Sequence, residues 1–255
     1  MPRSLHGGRH ELGQNFLIHR PTIDTVIALV DATTGPILEL GAGDGALTRH
    51  LASTRRPLTA IDLDEHRVRR LARALPRVRV MHADALRHPL DAPVVVGNVP
   101  FHLTTPILRR LLSERRWDHA VLVTQWEVAR KRAGVGGGTM MTAQSAPWFE
   151  FSLRGRVPSW GFAPRPGVDG GILTITRRGS PLVPHAERRA YERFVRDVFT
   201  GRGTGIESIV RRIAPVSAMT VQHALAAAKV PPRALPRDLA AAHWASLWAA
   251  VRGAR

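Results

Sequence analysis

The sequence predicts an α/β domain on a mainly parallel sheet, with a smaller helical region behind it. Three features carry that expectation. From residue 21 to about 176, short apolar runs alternate with helix-patterned segments. The runs are near-continuously apolar, as strands covered by helices on both faces are. Beyond residue 185 only helical spacing remains.

The elements follow in order. "PTIDTVIALVD" (21–31) puts Ile23, Val26, Ile27 and Val30 on one helical face, with Pro21 suited to the first turn. Five short apolar runs read as strands: "PILEL" (36–40), "PLTAID" (57–62), "RVRVMH" (77–82), "PVVVGN" (93–98) and "HAVLVT" (119–124). Helices are predicted between them at "DEHRVRRLARAL" (64–75) and "TPILRRLLSE" (105–114). "FEFSLRGRV" (149–157) and "GGILTITRR" (170–178) have no helical pattern between them and predict an antiparallel pair at the sheet edge. "GVGGG" (134–138) reads as a mobile loop and "RRGSPLVPH" (177–185) as a linker. This divides the chain at 178/179. In the last helical stretch, Leu239, Trp244, Leu247, Trp248 and Val251 recur at helical spacing, so the tryptophans read as core.

Composition narrows the function classes. The 255 residues are 44% hydrophobic and 22% charged, ordinary for a globular protein. No apolar run reaches membrane-spanning length, and "MPRSLHGGRH" lacks the apolar core of a signal peptide. Zero cysteines exclude disulfides and thiolate metal sites and fit a reducing compartment, so a cytoplasmic protein is expected. The twelve histidines show no HExxH or comparable spacing, so no metal is expected. The net charge of +17 suggests a polyanionic partner, nucleic acid ahead of acidic membrane. All the basic residues except Lys131 and Lys229 are arginine, whose planar donor fork suits phosphate. A GC-rich genome would explain arginine over lysine, but not the excess over Asp and Glu.

"LELGAGDGALT" (38–48) places Gly41, Gly43 and Gly45 between a strand and a helix, where the backbone turns tightly and approaches a ligand. The spacing differs from the dinucleotide pattern GxGxxG, and tight-turn glycines without a ligand remain an alternative. Asp62 ends the next strand about 20 residues on, where an acid accepts ribose hydroxyls. Asp64 is better placed than Asp62 to cap the helix that follows. Asp84, in "MHADAL", ends the third strand and suits an adenine amino group; alone it reads equally as a cap or turn. Three successive strand ends thus predict a nucleoside at the carboxyl edge of the sheet.

The fourth strand ends in "GNVPF" (97–101). Pro100 biases Val99 to an extended conformation. The Asn98 side-chain oxygen and the Val99 carbonyl can then accept both hydrogens of an exocyclic amine, and Phe101 offers a ring to a flipped-out base. Holding the amine this way frees its lone pair for in-line attack on a sulfonium methyl. The contribution is positioning and electrostatics rather than strong-base chemistry.

These runs, with "GQNFL" (13–17), "AIDLD" (60–64), "HADAL" (82–86), "GNVPFHLTTPI" (97–107) and "VTQWEVARKRAG" (123–134), resemble the rRNA adenine-N6 methyltransferase family. Within it the likeness is closest to the Erm enzymes, which confer macrolide–lincosamide–streptogramin resistance by methylating one adenine of 23S rRNA. The resemblance spans roughly residues 9–215. It implies S-adenosylmethionine as methyl donor and a Rossmann-like catalytic domain with a mainly parallel seven-stranded sheet over 1–178. Residues 1–20 would form an arm and cofactor lid, and 179–255 a small all-helical C-terminal RNA-binding domain. The partner implied is 23S rRNA with a flipped adenine, met by a monomer.

Carried over residue by residue, Asn15 and Leu17, with Gln14 beside them, match the lid over the methionine part of the cofactor. Glu39, Gly41, Gly43 and Gly45 lie in the glycine turn; Asp62 matches the ribose acid, and Asp84 with Ala85 the adenine end. Asn98 matches the residue that meets both donor and target amine, with the Val99 carbonyl beside it. Phe101 matches the stacking aromatic and Phe162 the ring on the base's other face, with plain core packing the alternative for Phe162. Asp62 stands where many relatives have Glu, and Phe101 where many have Tyr, which keeps the stack without the hydroxyl. Arg130, Lys131 and Arg132, with Arg211 and Arg212, are the candidate RNA contacts. A 16S rRNA adenine dimethyltransferase and a non-catalytic nucleic-acid-binding factor of the same fold are the alternatives; "QWEVARKR" favours the 23S type.

Overall fold

The structure, a computed structural model, describes residues 15–214 and 216–253. A two-residue strand β1 (Phe16–Leu17) and helix α1 (Arg20–Asp31) lead into β2 (Ile37–Leu40). Next come a short helix α2 (Thr48–Leu51), β3 (Leu58–Asp62), α3 (Glu65–Ala74), β4 (Arg79–His82) and β5 (Val94–Asn98). Helix α4 (Thr104–Ser113) precedes β6 (His119–Gln125), α5 (Trp126–Arg132) and α6 (Met140–Ser145). Three strands follow, β7 (Phe149–Val157), β8 (Phe162–Ala163) and β9 (Gly170–Arg177). Helices α7 (Arg188–Thr200), α8 (Ile206–Ile213), α9 (Ala218–Ala227) and α10 (Ala241–Gly253) complete the described chain.

Seven strands form one sheet in the order β4-β3-β2-β5-β6-β9-β7. The pairs from β4 to β6 are parallel, and β9 runs antiparallel to β6. β7 lies at the edge beside β9, where the sequence places that pair. All four residues of β2 are buried, as a strand covered on both faces requires. The strand order reverses between β2 and β5, so the carboxyl ends of these two strands flank the crevice where α/β sheets take ligands.

Local chemistry sets the helix ends. Pro21 sits in the first turn of α1, which buries Thr22, Ile23, Val26 and Val30. The Asp64 carboxylate caps α3 by accepting from the His66 and Arg67 amides, which leaves Asp62 free of that duty.

The chain packs as two compact units. One runs through Ala129 and includes Ser152–Thr176; the other is Arg130–Phe151 with the chain from Arg177 onward. The sequence boundary at 178/179 is a division by chain order and does not foresee the Arg130–Phe151 excursion. The first unit's core includes Val26, Leu51, Ala60, Val94, Val123 and Ile172. The second is built on aromatics. Tyr191 meets Trp148 and Trp248 edge-on, with ring centroids 5.4 and 6.0 Å apart, and its hydroxyl donates to the Ala143 carbonyl at 2.8 Å. That bond ties α6 to α7. Trp244 and Trp248 are buried, as their spacing predicts.

The run "GVGGG" is docked rather than loose. The Gly138 amide donates to the Arg237 carbonyl at 2.6 Å, and a Cβ on Gly137 would lie 3.3 Å from the Arg237 side chain. Its glycines are needed because Gly134, Gly136 and Gly137 all have positive φ.

Candidate active site

The carboxyl ends of β2, β3 and β5 meet around two adjoining cavities of about 270 and 260 Å³. Both are lined by Gly41, Asp62, Val99 and Pro100. The first also takes in Asn15, Leu17, Glu39, Gly43, Asn98 and Phe101. Asp84 and Ala85 line the second, among apolar neighbours such as Leu63, Leu103 and Ile107.

β2 leaves the sheet through the glycine turn. The Gly41 and Ala42 amides donate to the Ile61 carbonyl at 2.9 and 3.0 Å, which folds the turn over the end of β3. Asp62 locks it. One carboxylate oxygen accepts from the Gly43 amide at 2.7 Å and the other from the Asp64 amide at 2.8 Å. The side chain is 5% exposed and lines both cavities, with a second lone pair on each oxygen to offer a ligand. Gly41 and Gly43 have φ of +73° and +52°. Gly45, at +84°, lines neither cavity; a Cβ there would lie 2.6 Å from Leu71 Cδ1, so this glycine lets the turn pack on α3.

Glu39 is 1% exposed, and burial pushes its carboxyl up to about 8. The nearby Asp62 charge adds to the rise, while Thr48 offsets part of it. Oε2 of Glu39 has no hydrogen-bond partner, although the residue lines the first cavity. A buried acceptor left open beside a cavity is what a cationic or N–H-bearing ligand would complete.

Asp84 is half-buried and accepts from the Leu86 amide at 2.8 Å. The loop that carries it is stapled from α4: Arg110 donates to the Ala85 carbonyl at 2.7 Å and to the His88 carbonyl. Sequence reasoning misses this support, because nothing in the pattern links positions 25 residues apart.

At the end of β5 the Val99 amide donates to the Val123 carbonyl at 2.9 Å, fixing the turn before Pro100. The Asn98 amide nitrogen donates to the Asn15 carbonyl at 2.7 Å. Its nitrogen is thus engaged, and its oxygen is the end left to accept. Asn15 leads into β1, which pairs with β8, setting Leu17 against Phe162 and Phe16 against Ala163. Phe16 lies on the glycine turn, where a Gly43 Cβ would come within 3.1 Å of its ring. The Arg67 guanidinium covers Phe16 at 4.3 Å and is held by Asp44 and Asp64. Residues 15–18 therefore line the first cavity as a strap anchored at three places. Gln14 lies outside the described residues.

Phe101 is half-buried and Phe162 is 2% exposed, their centroids 6.1 Å apart and planes at 79°. The two rings meet edge-to-face, so they do not frame a parallel slot. A base entering between them would displace one ring. Phe162 also belongs to the apolar core.

The basic candidates fall in the second unit or its entry. Arg132 donates to Thr139 Oγ1 at 2.6 Å, and the Arg130 guanidinium lies against Gly136, so both support the glycine-rich loop. Lys131 is exposed. Arg211 lies 3.9 Å from Glu207, and Arg212 donates to the Arg202 carbonyl at 3.2 Å, both on the exposed face of α8. Arg189, Arg193 and Arg196 share the exposed side of α7 with no ion pair among the described residues. The sequence reading passes over that stripe.

No group of metal-ligating side chains occurs among the described residues, and none of their helices is long and apolar enough to cross a membrane. The sheet order, the glycine turn and the acids at successive strand ends define a Rossmann-like S-adenosylmethionine-dependent methyltransferase. The model of the ribosomal RNA adenine dimethylase family matches residues 5–246, and the chain belongs to that family. It is 52% identical over 250 residues to a mycinamicin-resistance protein of Micromonospora griseorubida, covering 96% of this chain and 80% of the relative. It is 51% identical over 209 residues to an rRNA adenine N-6-methyltransferase of Corynebacterium diphtheriae, covering 80% and 83%. The crystal structure of the 23S rRNA methyltransferase ErmE matches 93% of this chain and all of its own, at 32% identity and TM-score 0.84.

The residues present fit S-adenosylmethionine. A glycine turn held by a buried acid, an unpartnered Glu39 oxygen and an apolar second cavity offer, respectively, a ribose, a cationic amino-acid part and an adenine their complements.

Proposed function

We propose that this chain transfers a methyl group from S-adenosylmethionine to N6 of one adenine in 23S rRNA, acting as a cytoplasmic monomer and conferring macrolide–lincosamide–streptogramin resistance. The observation that carries the reaction is the Asn98 amide at the carboxyl end of β5. Its nitrogen is tied to the Asn15 carbonyl, which leaves its oxygen to accept from an incoming amine. The 23S assignment draws on the similarity to ErmE, and the resistance on the similarity to the mycinamicin-resistance protein.

Bound S-adenosylmethionine supplies an electrophilic methyl on a sulfonium sulfur. The chain does the positioning. Asp62 takes the ribose hydroxyls while its backbone bonds hold it still. Asp84 accepts from the adenine amino group at the apolar second cavity, and Arg110 steadies that loop. The strap at Asn15–Leu17 would cover the methionine part, and Glu39 would take its ammonium. Asn98 Oδ1 and the Val99 carbonyl accept the two N–H groups of the target adenine, leaving the nitrogen lone pair directed at the methyl. Phe101 stacks on the base, and Phe162 turns from its edge-on contact to meet the other face. The ammonium formed on transfer is acidic and sheds its proton without a dedicated base. RNA phosphates are met by Lys131, by Arg211 and Arg212, and by Arg189, Arg193 and Arg196 on α7, within the helical unit.

Primer extension on 23S and 16S rRNA incubated with protein and S-adenosylmethionine tests this reading. A stop at one adenine of 23S rRNA is expected where both N6 hydrogens are replaced, and labelled methyl on 23S rRNA without a stop where one is. A stop in 16S rRNA alone assigns the chain to small-subunit methylation instead. Replacing one arginine of the α7 stripe by alanine is expected to lower the salt slope of RNA binding by about one for each phosphate that the guanidinium neutralises.

A further inference from the structure

Trp160 stands apart from the other tryptophans. Trp117, Trp148, Trp244 and Trp248 are buried, Trp126 is half-buried, and Trp160 is 60% exposed. It is nevertheless held firmly. It lies in the turn Ser159–Gly161, where the Ser159 amide donates to Asp169 at 2.8 Å and the other Asp169 oxygen accepts from Arg156 at 2.7 Å. The His19 ring meets the indole edge-on at 4.8 Å, and His19 is itself bonded to Thr22 at 2.7 Å. Behind it the Ile18 and His19 amides both donate to the Gly161 carbonyl, so closely that a Gly161 Cβ would fall 2.7 Å from His19 Cβ.

Its position is informative. Trp160 is two residues before Phe162, within about 7 Å along the chain. Phe162 meets Phe101 at the reacting edge and sits opposite Leu17 of the strap. Ile18, beside the first cavity, is 58% exposed and extends the apolar rim. Arg165 is exposed, donates to Ser159 Oγ at 2.9 Å, and has no carboxylate at ion-pair distance among the described residues. A rigid aromatic face beside an exposed arginine suits a nucleobase and its phosphate.

We propose that Trp160 is a stacking platform for the base adjacent to the target adenine. When one base is flipped out, its neighbour loses a stacking face, and the indole supplies a replacement that holds the strand open. The proposal rests on the adenine-methyltransferase reading and adds a substrate-positioning residue to it.

The test uses the full chain and a 23S rRNA hairpin transcript with its target adenine unpaired, in three forms: intact, abasic on the 5′ side of the adenine, and abasic on the 3′ side. With the intact hairpin, Trp160→Ala is expected to raise KM for RNA about five- to hundredfold. It should leave kcat and the KM for S-adenosylmethionine within about twofold, and Trp160→Phe should restore most of the loss. On one of the abasic hairpins the wild type and Trp160→Ala should become equal. An unchanged KM for RNA overturns the proposal. So does a loss that persists on both abasic hairpins, or one shared with the KM for S-adenosylmethionine, because either marks a purely structural turn. If the wild type methylates no adenine, the proposed function fails separately. The platform is then judged by whether the intact hairpin quenches tryptophan fluorescence of the wild type more than that of Trp160→Phe, a difference that one of the abasic hairpins should abolish.

Discussion

Two glycine clusters look alike in the sequence and do different work. "GAGDG" and "GVGGG" both hold three glycines at positive φ, +73°, +52° and +84° in the first, +74°, +82° and +112° in the second. The first turn is closed by Asp62 and opens onto a cavity. The second packs on Arg130 and Arg237 and lines neither cavity at the strand ends. Glycine spacing therefore marks where the backbone turns left-handed, and no more. What makes one turn a ligand site is the buried acid, itself held by backbone amides, at the end of the next strand.

The largest effect that would sharpen this contrast is on the acid. Asp62→Ala removes both the turn's lock and the proposed ribose acceptor, and is expected to weaken S-adenosylmethionine binding by roughly 10- to 100-fold in calorimetry. Substitution of Arg237 is expected to leave that affinity unchanged.

Next is Glu39. Its folded carboxyl titrates near 8 against an ordinary 4.5. The folded state therefore binds more protons than the unfolded chain between those values. Stability is fully present below about pH 4.5 and falls as pH rises through about 8. Glu39→Gln should abolish most of that fall. Urea unfolding at pH 5 and pH 8 is expected to show a wild-type loss from this site on the order of a few kcal/mol that the variant lacks. A bound cation beside Glu39 favours its ionised form, so cofactor binding near pH 7 should release a proton, read from calorimetry in buffers of different ionisation enthalpy. Identical pH dependence in both proteins would break the account of Glu39 as a buried, unpartnered acid.

The smallest effect compares the turns directly. Gly45→Ala combines a left-handed φ with a clash on Leu71 and should cost about 2 kcal/mol of stability. Gly134→Ala has the same backbone strain with nothing within 4 Å of the added methyl, and should cost about 1 kcal/mol. Equal losses would mean that φ alone, and not the surroundings, sets the cost.

The order of these elements is largely legible in the sequence. Val94–Asn98 and His119–Gln125 are interior strands, and their unbroken apolar runs say so. Asp62 is marked because it ends such a run, and Asp84 because it closely follows the edge strand β4. The links that complete the site are different in kind. Asn15 to Asn98 spans 83 residues, Arg110 to Ala85 spans 25, and β1 pairs with β8 through two residues each. None has a period to detect, and strands that short carry no pattern. The edge-to-face contact of Phe101 with Phe162 is equally hidden, since sequence gives the ring types and not their angle. Arg130–Phe151 joins the helical unit through Tyr191 and Trp148, aromatics that lie 43 residues apart along the chain.

The central claim is that the Asn98 amide, held from one side by Asn15, grips the adenine amine for methyl transfer. Single-turnover transfer with Asn98→Ala, at saturating S-adenosylmethionine and 23S rRNA transcript, tests it most directly. The predicted result is a rate at least about 100-fold below wild type, with the fold intact by circular dichroism. Transfer at close to the wild-type rate would contradict the claim.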